Sequence, residues 1–213
     1  ESYELDEDER ADYVGDLIRD QELSTNYMDV WVDEHREPPY ALISVRGSAK
    51  AEDYLIDDAA ILATGKSRNL IQTDLKRAVD KYADQGTVEV AGHSLGTSLV
   101  SEALQGDDSL MDKIDRVDFF NPATSPLTKS VVSDFSDESK AHFHENQGDL
   151  VGLGQMLYSS APKNVTMLPI QSMNPLTNHG IDQWMGKTEI KTGQLDDSAK
   201  RNLDDGAAGW KTE

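Results

Sequence analysis

The sequence predicts an α/β protein with a mixed, mostly parallel sheet and helices on both faces of that sheet. Short apolar segments with β-branched residues alternate along the chain with segments whose apolar residues recur at helical spacing. The Pro-rich stretch Glu37-Pro38-Pro39 separates the first two clear strand-like segments and indicates a hairpin-like reversal. Residues 92–96 then place a serine between two glycines, where a strand passes into a helix.

Composition and periodicity divide the chain into three regions. Residues 1–26 are strongly acidic and carry four apolar residues at helical spacing, which predicts an amphipathic surface helix; these residues are Tyr13, Val14, Leu17 and Ile18. Residues 27–185 are predicted to form the α/β domain. Residues 186–213 are rich in charge, Gly and Thr with little periodicity, so we expect a mobile or loosely attached tail.

Within the central region, apolar and alternating runs predict the strands, and helical spacing predicts the segments between them. Strands are predicted over residues 28–32, 41–45, 87–91, 117–120, 141–144 and 165–168. Helices are predicted over residues 50–64 (as one or two short pieces), over 70–82, and through 99–104 after the serine turn. Alternation of this kind is typical of a parallel sheet, and the opening reversal makes the sheet mixed.

The composition narrows the possible partners. The chain has 40 acidic and 20 basic residues and a formal net charge of -20, which disfavours binding to nucleic acid and to anionic membrane surfaces. General solubility and a salt-rich habitat are two alternative explanations of this acidity. No cysteine is present, which excludes disulfides and thiolate metal sites. No apolar run approaches the roughly 18 residues that a membrane-spanning helix needs.

The five residues Gly92-His93-Ser94-Leu95-Gly96 are the clearest functional motif in the chain. A serine on a sharp strand-to-helix turn needs very small residues two positions to either side, because the turn is strained and the strand and helix pack closely there. Gly92 and Gly96 meet this need. The helix that begins at the turn also directs backbone N–H groups toward an oxyanion. The motif therefore predicts a nucleophilic serine, Ser94.

Such a serine needs an imidazole as its general base, and the chain offers five histidines. His179 lies in a loop after the last predicted strand, where the carboxyl edge of the sheet would deliver a base. His93 neighbours the serine on a tight turn that points its side chain away, so packing or support of the site suits it better. His142 and His144 alternate along a predicted strand, and His35 lies in the first reversal. We therefore expect His179 to be the base.

The imidazole in turn needs a carboxylate that holds it in the correct tautomer. The order serine, acid, histidine, which is typical of the α/β-hydrolase arrangement, restricts this acid to residues 94–179. Asp149 follows a predicted strand and is flanked by apolar residues, which fits a partly desolvated acid. Asp118 lies inside a predicted strand, and Asp134 and Asp137 lie in a polar loop. Asp149 is therefore the predicted acid.

Together these segments resemble the class 3 lipase family, which includes the fungal triacylglycerol lipases. The resemblance covers about residues 27–185, and its motifs appear in the family's order. They are the oxyanion segment Arg46-Gly47-Ser48, the aromatic and acidic lid segment Tyr54-Leu55-Ile56-Asp57, the elbow Gly92-His93-Ser94-Leu95-Gly96, the acid motif Asp149-Leu150-Val151 and the base His179. Thr97 stands where the family usually has a second glycine, and the disulfides of the secreted fungal members cannot form.

The resemblance implies an α/β-hydrolase fold and acyl transfer through a covalent intermediate. Ser94 would attack the ester carbonyl while His179 takes its proton, and Asp149 would orient His179 and stabilise the imidazolium. The oxyanion would be held by the backbone N–H of Leu95 and by the N–H of Ser48, whose hydroxyl is a further candidate donor. No metal and no organic cofactor is required. The implied substrate is a lipid ester met at a lipid–water interface, with no nucleic-acid partner and no transmembrane segment.

Residues 49–64 are interpreted as a lid. The segment carries Tyr54, Leu55 and Ile56 on one side and acidic residues such as Asp57 on the other. A short helix of this kind could cover the site in water and present its apolar side to lipid. Permanent packing of the same helix on the sheet is the alternative interpretation, and activity that rises at an interface would favour the lid.

Other functions are compatible with the same residues. A small-ester esterase or a thioesterase would use the same chemistry, and a catalytically silent hydrolase-fold scaffold would keep the fold without an activated serine. A metal site at His142 and His144 would need Glu145 or Asp149 as a third ligand, and strand histidines are more often structural. Labelling by a fluorophosphonate probe would separate an activated serine from a silent scaffold.

Overall fold

The structure, a computed structural model, describes residues 11–47, 71–122, 140–146, 149, 165–169, 178–180 and 190–191. In these ranges nine strands form one sheet: β1 Tyr13–Val14, β2 Leu17–Arg19, β3 Met28–Asp33, β4 Tyr40–Val45, β5 Thr87–His93, β6 Arg116–Phe120, β7 Ala141–Asn146, β8 Val165–Leu168 and β9 Ile190–Lys191. Three helices lie wholly within these ranges, α1 Gln72–Tyr82, α2 Leu95–Gly106 and α3 Asp108–Lys113, and residues 178–179 are also helical. No helix in this part of the chain is long and apolar enough to cross a membrane.

The strands lie in the sheet in the same order as in the chain. Strands β1 to β4 pair antiparallel, β4 to β8 pair parallel, and β9 is antiparallel to β8. The centre of the sheet is therefore parallel and both edges are antiparallel, which confirms the predicted mixed, mostly parallel α/β class. All six predicted strands form, as β3 to β8.

The predicted amphipathic helix of residues 1–26 is wrong for the part that the structure describes. β1 and β2 form a hairpin in which Val14 lies opposite Leu17 and Tyr13 opposite Ile18, and its turn holds Gly15 at a φ of 61°. A two-residue turn brings residues three apart into register, and the same spacing also places residues on one face of a helix. Pairing of β2 with β3 joins this segment to the main sheet. At the other edge of the sheet, β9 pairs with β8. Residues 190–191 therefore belong to the sheet, although the sequence predicts a mobile or loosely attached tail for residues 186–213.

The apolar core lies on one face of the sheet, under the helices. Helix α1 packs against α2 and α3, and both α1 and α2 contact β4 and β5. Alternate residues of the central strands point to this face, among them Ile43, Val90 and Phe119, and Leu75 and Leu99 meet them from the helices. Helices α1, α2 and α3 all lie on this face. The predicted helix over 50–64 and most of the connections that follow β6, β7 and β8 lie outside the described residues.

Helix α1 sets the parallel pairing that builds the site. Its buried residues recur at helical spacing as Leu75, Ala78, Val79 and Tyr82. Burying each large apolar side chain of this kind contributes about 1.5–3 kcal/mol. Because a parallel pair needs such a crossover, the packed helix returns the chain to the start of β5 and brings the carboxyl ends of β4 and β5 to the same edge of the sheet.

Candidate active site

Ser94 occupies a strained turn between β5 and α2. Its backbone has φ 53° and ψ −123°, a conformation that side-chain-bearing residues rarely adopt and that the surrounding structure must hold in place. The Ser94 N–H donates to the carbonyl of Phe120 at 3.1 Å. The Thr97 hydroxyl donates to the carbonyl of Ser94 at 2.6 Å, so Thr97 fastens the first turn of α2 to the elbow.

Three glycines permit the close packing around this turn. A Cβ on Gly96 would lie 2.4 Å from the carbonyl oxygen of Val45, and one on Gly92 would lie 3.0 Å from the backbone nitrogen of Thr97. A Cβ on Gly47 would lie 3.0 Å from the Cβ of Ser94. The end of β4 therefore contacts the elbow. A side chain at Gly92 or Gly96 would crowd backbone atoms there, which is the physical reason why the motif needs glycine at both positions.

The structure brings Ser94, His179 and Asp149 into one hydrogen-bonded chain. His179 Nε2 lies 2.7 Å from Ser94 Oγ, and His179 Nδ1 lies 2.8 Å from Asp149 Oδ2. The side chain of Asp149 is 1% exposed and that of His179 is 13% exposed. An ionised carboxylate can only accept, so Nδ1 carries the proton toward Asp149 and Nε2 is left to accept the proton of the Ser94 hydroxyl.

The parallel sheet explains this meeting of distant residues. Ser94 directly follows β5, Asp149 follows β7 after a short connection, and His179 lies in the segment after β8. Because the carboxyl ends of parallel strands share one edge of the sheet, all three side chains are delivered to that edge. The Asp149 N–H also donates to the carbonyl of Asn146, the last residue of β7, at 3.0 Å.

Asn121 links β7 to the segment that carries His179, and sequence reasoning missed it. It follows β6, is fully buried, and has a φ of 40°. Its Nδ2 donates to the carbonyl of His179 at 2.9 Å and its Oδ1 accepts from the N–H of Asn146 at 3.0 Å. Its own N–H donates to the carbonyl of His144 at 2.7 Å. One feature of the sequence could have identified Asn121. Asparagine tolerates a positive φ, and this one directly follows a predicted central strand.

His93 and His144 contact residues that support the site. His93 Nε2 lies 2.9 Å from the carbonyl oxygen of His179, and the two rings are 5.2 Å apart. His144 Nε2 lies 2.5 Å from Asp118 Oδ1, and its ring stacks on Phe120 with centroids 4.4 Å apart. His142 lies on β7 in register with Asp118. These positions agree with the predicted packing or supporting role of His93 and with the reading of His142 and His144 as strand residues.

Two buried carboxyls near the site have pKa values shifted in opposite directions. Burial would raise the pKa of Asp118, but hydrogen bonds from His144 and Arg116 outweigh burial and lower it to about 2. Burial raises the pKa of Glu145 well above its usual range, and the nearby charge of Asp149 adds to this effect. Within the described part of the chain, Glu145 Oε1 has no hydrogen-bond partner. Both effects favour the protonated form of Glu145, which places no second negative charge beside Asp149.

Some predicted site residues lie outside the described residues. These are Ser48 of the oxyanion segment and the lid residues Tyr54, Leu55, Ile56 and Asp57. Leu95 begins α2, so its N–H is among those without an acceptor inside the helix. A Cβ on Gly47, the residue before Ser48, would lie 3.5 Å from the Leu95 nitrogen.

In the described ranges no group of three or more His, Asp or Glu residues could hold a metal ion.

Comparison with known proteins finds structures that resemble this chain, but it finds no match by sequence. No family model and no curated protein sequence matches the chain. Solved structures do resemble it. Several of these structures are described as lipases. A triacylglycerol lipase from Penicillium expansum has 18% identity and a TM-score of 0.41, with 89% of this chain and 78% of that chain covered.

Two further neighbours are matched over less of their own length. A Rhizomucor miehei lipase in complex with its propeptide has 16% identity and a TM-score of 0.42, with 64% of this chain and 51% of that one covered. A mutant form of MDLA from Penicillium cyclopium has 16% identity and a TM-score of 0.44, with coverage of 81% and 66%. The chain thus spans about half the length of the Rhizomucor lipase that it matches. The similarity concerns the fold.

Proposed function

We propose that this protein is a serine ester hydrolase that acts on lipid esters through Ser94, His179 and Asp149. The observation that carries the proposal is the hydrogen-bonded chain from Ser94 Oγ to His179 Nε2 and from His179 Nδ1 to the buried Asp149. The positive φ of Ser94 and the close glycine contacts support it, because they are the local geometry that a nucleophile on a strand-to-helix turn requires.

In the acylation step, Ser94 Oγ bonds to the ester carbonyl carbon while its proton passes to His179 Nε2. The carbonyl oxygen becomes an oxyanion, which the N–H groups of Leu95 and Ser48 stabilise. When the tetrahedral intermediate collapses, the bond to the alcohol oxygen breaks and the leaving alkoxide takes the proton from His179. The products of this step are the free alcohol and an ester of the acyl group with Ser94.

In the deacylation step, a water molecule repeats the sequence in the opposite sense. His179 takes a proton from the water, whose oxygen attacks the acyl carbonyl carbon, and the bond to Ser94 Oγ breaks as His179 returns the proton to it. Asp149 stabilises the imidazolium in both steps without accepting its proton. Its nearly complete burial strengthens that interaction, because the dielectric constant around a buried charge is low.

The proposed substrate class is a lipid ester rather than a small soluble ester. Two features of the sequence favour this class: the resemblance to the class 3 lipases, and the segment 54–57, in which three apolar or aromatic residues precede an acidic one. The lipases among the structural neighbours also favour it. A substrate at a neutral interface also suits a chain with a net charge of -20, since anionic surfaces repel it.

A substrate panel on wild type and Ser94→Ala tests the proposal. It contains triglyceride emulsions, phospholipid vesicles and nitrophenyl esters of increasing chain length. We expect wild type to hydrolyse at least one lipid class and Ser94→Ala to lose a factor on the order of 10⁴ to 10⁶ in rate while remaining folded. Ser98→Ala is the matched control, because Ser98 is a buried serine in the first part of α2. This variant should keep the wild-type rate. Most activity retained in folded Ser94→Ala would exclude the mechanism.

A further inference from the structure

Glu145 carries a buried carboxyl group that the proposed mechanism does not use. It lies on β7 and is 4% exposed, and its Oε1 has no hydrogen-bond partner in the described part of the chain. A negative charge at such a position is costly, because neither water nor a hydrogen bond compensates it. Native structures rarely leave a buried polar group without a partner, so one beside a proposed catalytic site is a candidate for a role in that site.

The end of β7 carries Glu145 and Asp149 on one short, anchored segment. Asn146 directly follows Glu145, and its carbonyl accepts a hydrogen bond from the Asp149 N–H at 3.0 Å. The N–H of Asn146 in turn donates to Asn121 Oδ1 at 3.0 Å. A backbone shift that separates the two carboxyl groups would break these hydrogen bonds. The segment therefore keeps Glu145 within reach of the charge of Asp149.

The strands on either side of β7 place uncharged residues beside Glu145. Met167 of β8 is in register with it, and on the other side Asn121 donates its N–H to the carbonyl of the preceding residue, His144. Neither Met167 nor Asn121 titrates, and the side chain of His144 points to the opposite face of the sheet. Burial and the charge of Asp149 both raise the pKa of Glu145 well above its ordinary value of 4.5. The described surroundings thus favour a neutral carboxyl group.

We propose that Glu145 is a positioning residue whose proton keeps the site in its active form, an inference that rests on the proposed function. While Glu145 is protonated, Asp149 carries the single negative charge of the pair, and its Oδ2 lies 2.8 Å from His179 Nδ1. When Glu145 loses its proton to hydroxide, two negative charges share a site from which water is excluded. The segment must then open to admit water, and Asp149 moves away from His179. The protein is therefore active below the pH at which Glu145 ionises and inactive above it.

The pH dependence of kcat tests this role. Glu145→Gln and Glu145→Met replace the carboxyl group with neutral groups of similar size. We expect kcat of wild type on a soluble nitrophenyl ester to reach a plateau and then to fall by up to about tenfold per pH unit at alkaline pH, whereas both variants keep their plateau to about pH 10. Glu22→Gln, the same change at an exposed position, should follow wild type. Ser94→Ala gives the uncatalysed rate that is subtracted at each pH.

Urea unfolding measures the proton on Glu145 without catalysis. Folded wild type keeps this proton above pH 4.5, whereas the unfolded chain loses it there, so unfolding releases a proton. The unfolding equilibrium constant of wild type, divided by that of Glu145→Gln, should therefore rise by up to about tenfold per pH unit above about pH 4.5, until Glu145 ionises in the folded protein. The same ratio formed with Glu22→Gln should change less than about twofold.

The two measurements separate this inference from the proposed function. No ester hydrolysis by wild type contradicts the proposed function and, with it, the effect on turnover, whereas the unfolding ratio still reports the proton on Glu145. A ratio that stays constant between about pH 5 and 7 overturns the inference, because Glu145 is then ionised in the folded protein. Hydrolysis whose pH profile is the same in wild type, Glu145→Gln and Glu145→Met, or is lowered equally at every pH in both variants, also overturns it and leaves the proposed function standing.

Discussion

At the scale of single residues, the histidines differ in what their ring nitrogens face. His179 Nε2 lies 2.7 Å from Ser94 Oγ, whereas His144 Nε2 is held by Asp118. We expect His179→Ala to lower kcat nearly as far as Ser94→Ala, because either change removes proton transfer from the serine. His142→Ala and His144→Ala should keep substantial turnover. Measured kcat values for the folded variants check this, and a folded His142→Ala or His144→Ala variant as inactive as Ser94→Ala would show that the base has been misassigned.

Asn121 acts on the site through His179 and Asn146, so its predicted role is positioning. Asn121→Asp keeps the size, the tolerance of positive φ and the acceptor for Asn146, but it faces the His179 carbonyl with an oxygen instead of an N–H donor. We expect kcat to fall ten- to hundredfold with KM changed less than threefold, because a displacement of about 1 Å in a catalytic group has effects of this size. Wild-type kcat in folded Asn121→Asp would contradict the positioning role, and urea unfolding of the variant provides the control.

The contrast between His179 and Asn121 shows what the sequence could predict at this scale. Ser94 stands in a local motif, and Asp149 and His179 follow it in a known order, so pattern and order were enough to nominate them. Asn121 has no motif of its own, since its importance arises from backbone groups of two segments that meet it only in the folded sheet. Physical contacts of that kind are invisible until the strand order is known.

At the scale of elements, β6 and β7 are joined by the hydrogen bond between His144 and Asp118 as well as by their backbone hydrogen bonds. Arg116 Nε donates to Asp118 Oδ2 at 2.6 Å, and His144 contacts the other carboxylate oxygen. The pKa of Asp118 is about 2, below its ordinary value of 3.8, so the ionised carboxylate stabilises the fold above about pH 4. That contribution is lost as the pH falls from about 4 to 2.

Asp118→Asn should therefore lower the free energy of unfolding by on the order of 2 kcal/mol at pH 7. The difference from wild type should stay constant down to about pH 4 and narrow below it. Urea unfolding at several pH values measures this, with Asp112→Asn, an exposed position on α3, as the control for the change in charge. A difference that is the same at pH 7 and below pH 3 would show that the carboxylate is not responsible.

The elements also show where periodicity succeeds and where it fails. The apolar and alternating runs that became β3 to β8 could be read directly from the sequence, since buried strands produce such runs. The hairpin β1–β2 could not, because Val14 and Leu17 are three residues apart in both a two-residue turn and a helix. Its pairing with β3 is a long-range contact that local spacing does not encode.

At the scale of the whole molecule, the net charge of -20 governs the surfaces that the protein can approach. We expect binding to anionic phosphatidylglycerol vesicles to be at least tenfold weaker than to zwitterionic phosphatidylcholine vesicles at 0.1 M salt. The two affinities should converge at 1 M salt, where charges are screened over about 3 Å instead of about 10 Å. Vesicle sedimentation measures both, and tighter binding to anionic vesicles at low salt would show that a local basic patch outweighs the net charge.

The central claim is that His179 and Asp149 activate Ser94 as a nucleophile, and reaction with a fluorophosphonate probe tests it most directly. In this reaction Ser94 Oγ bonds to phosphorus and fluoride leaves, so the label stays on the attacking residue. We predict that mass spectrometry finds the label on Ser94 in wild type, that folded Ser94→Ala stays unlabelled, and that His179→Ala is labelled at least a hundredfold more slowly. Wild type that stays unlabelled, a label on another residue, or labelling of His179→Ala at the wild-type rate would contradict the claim.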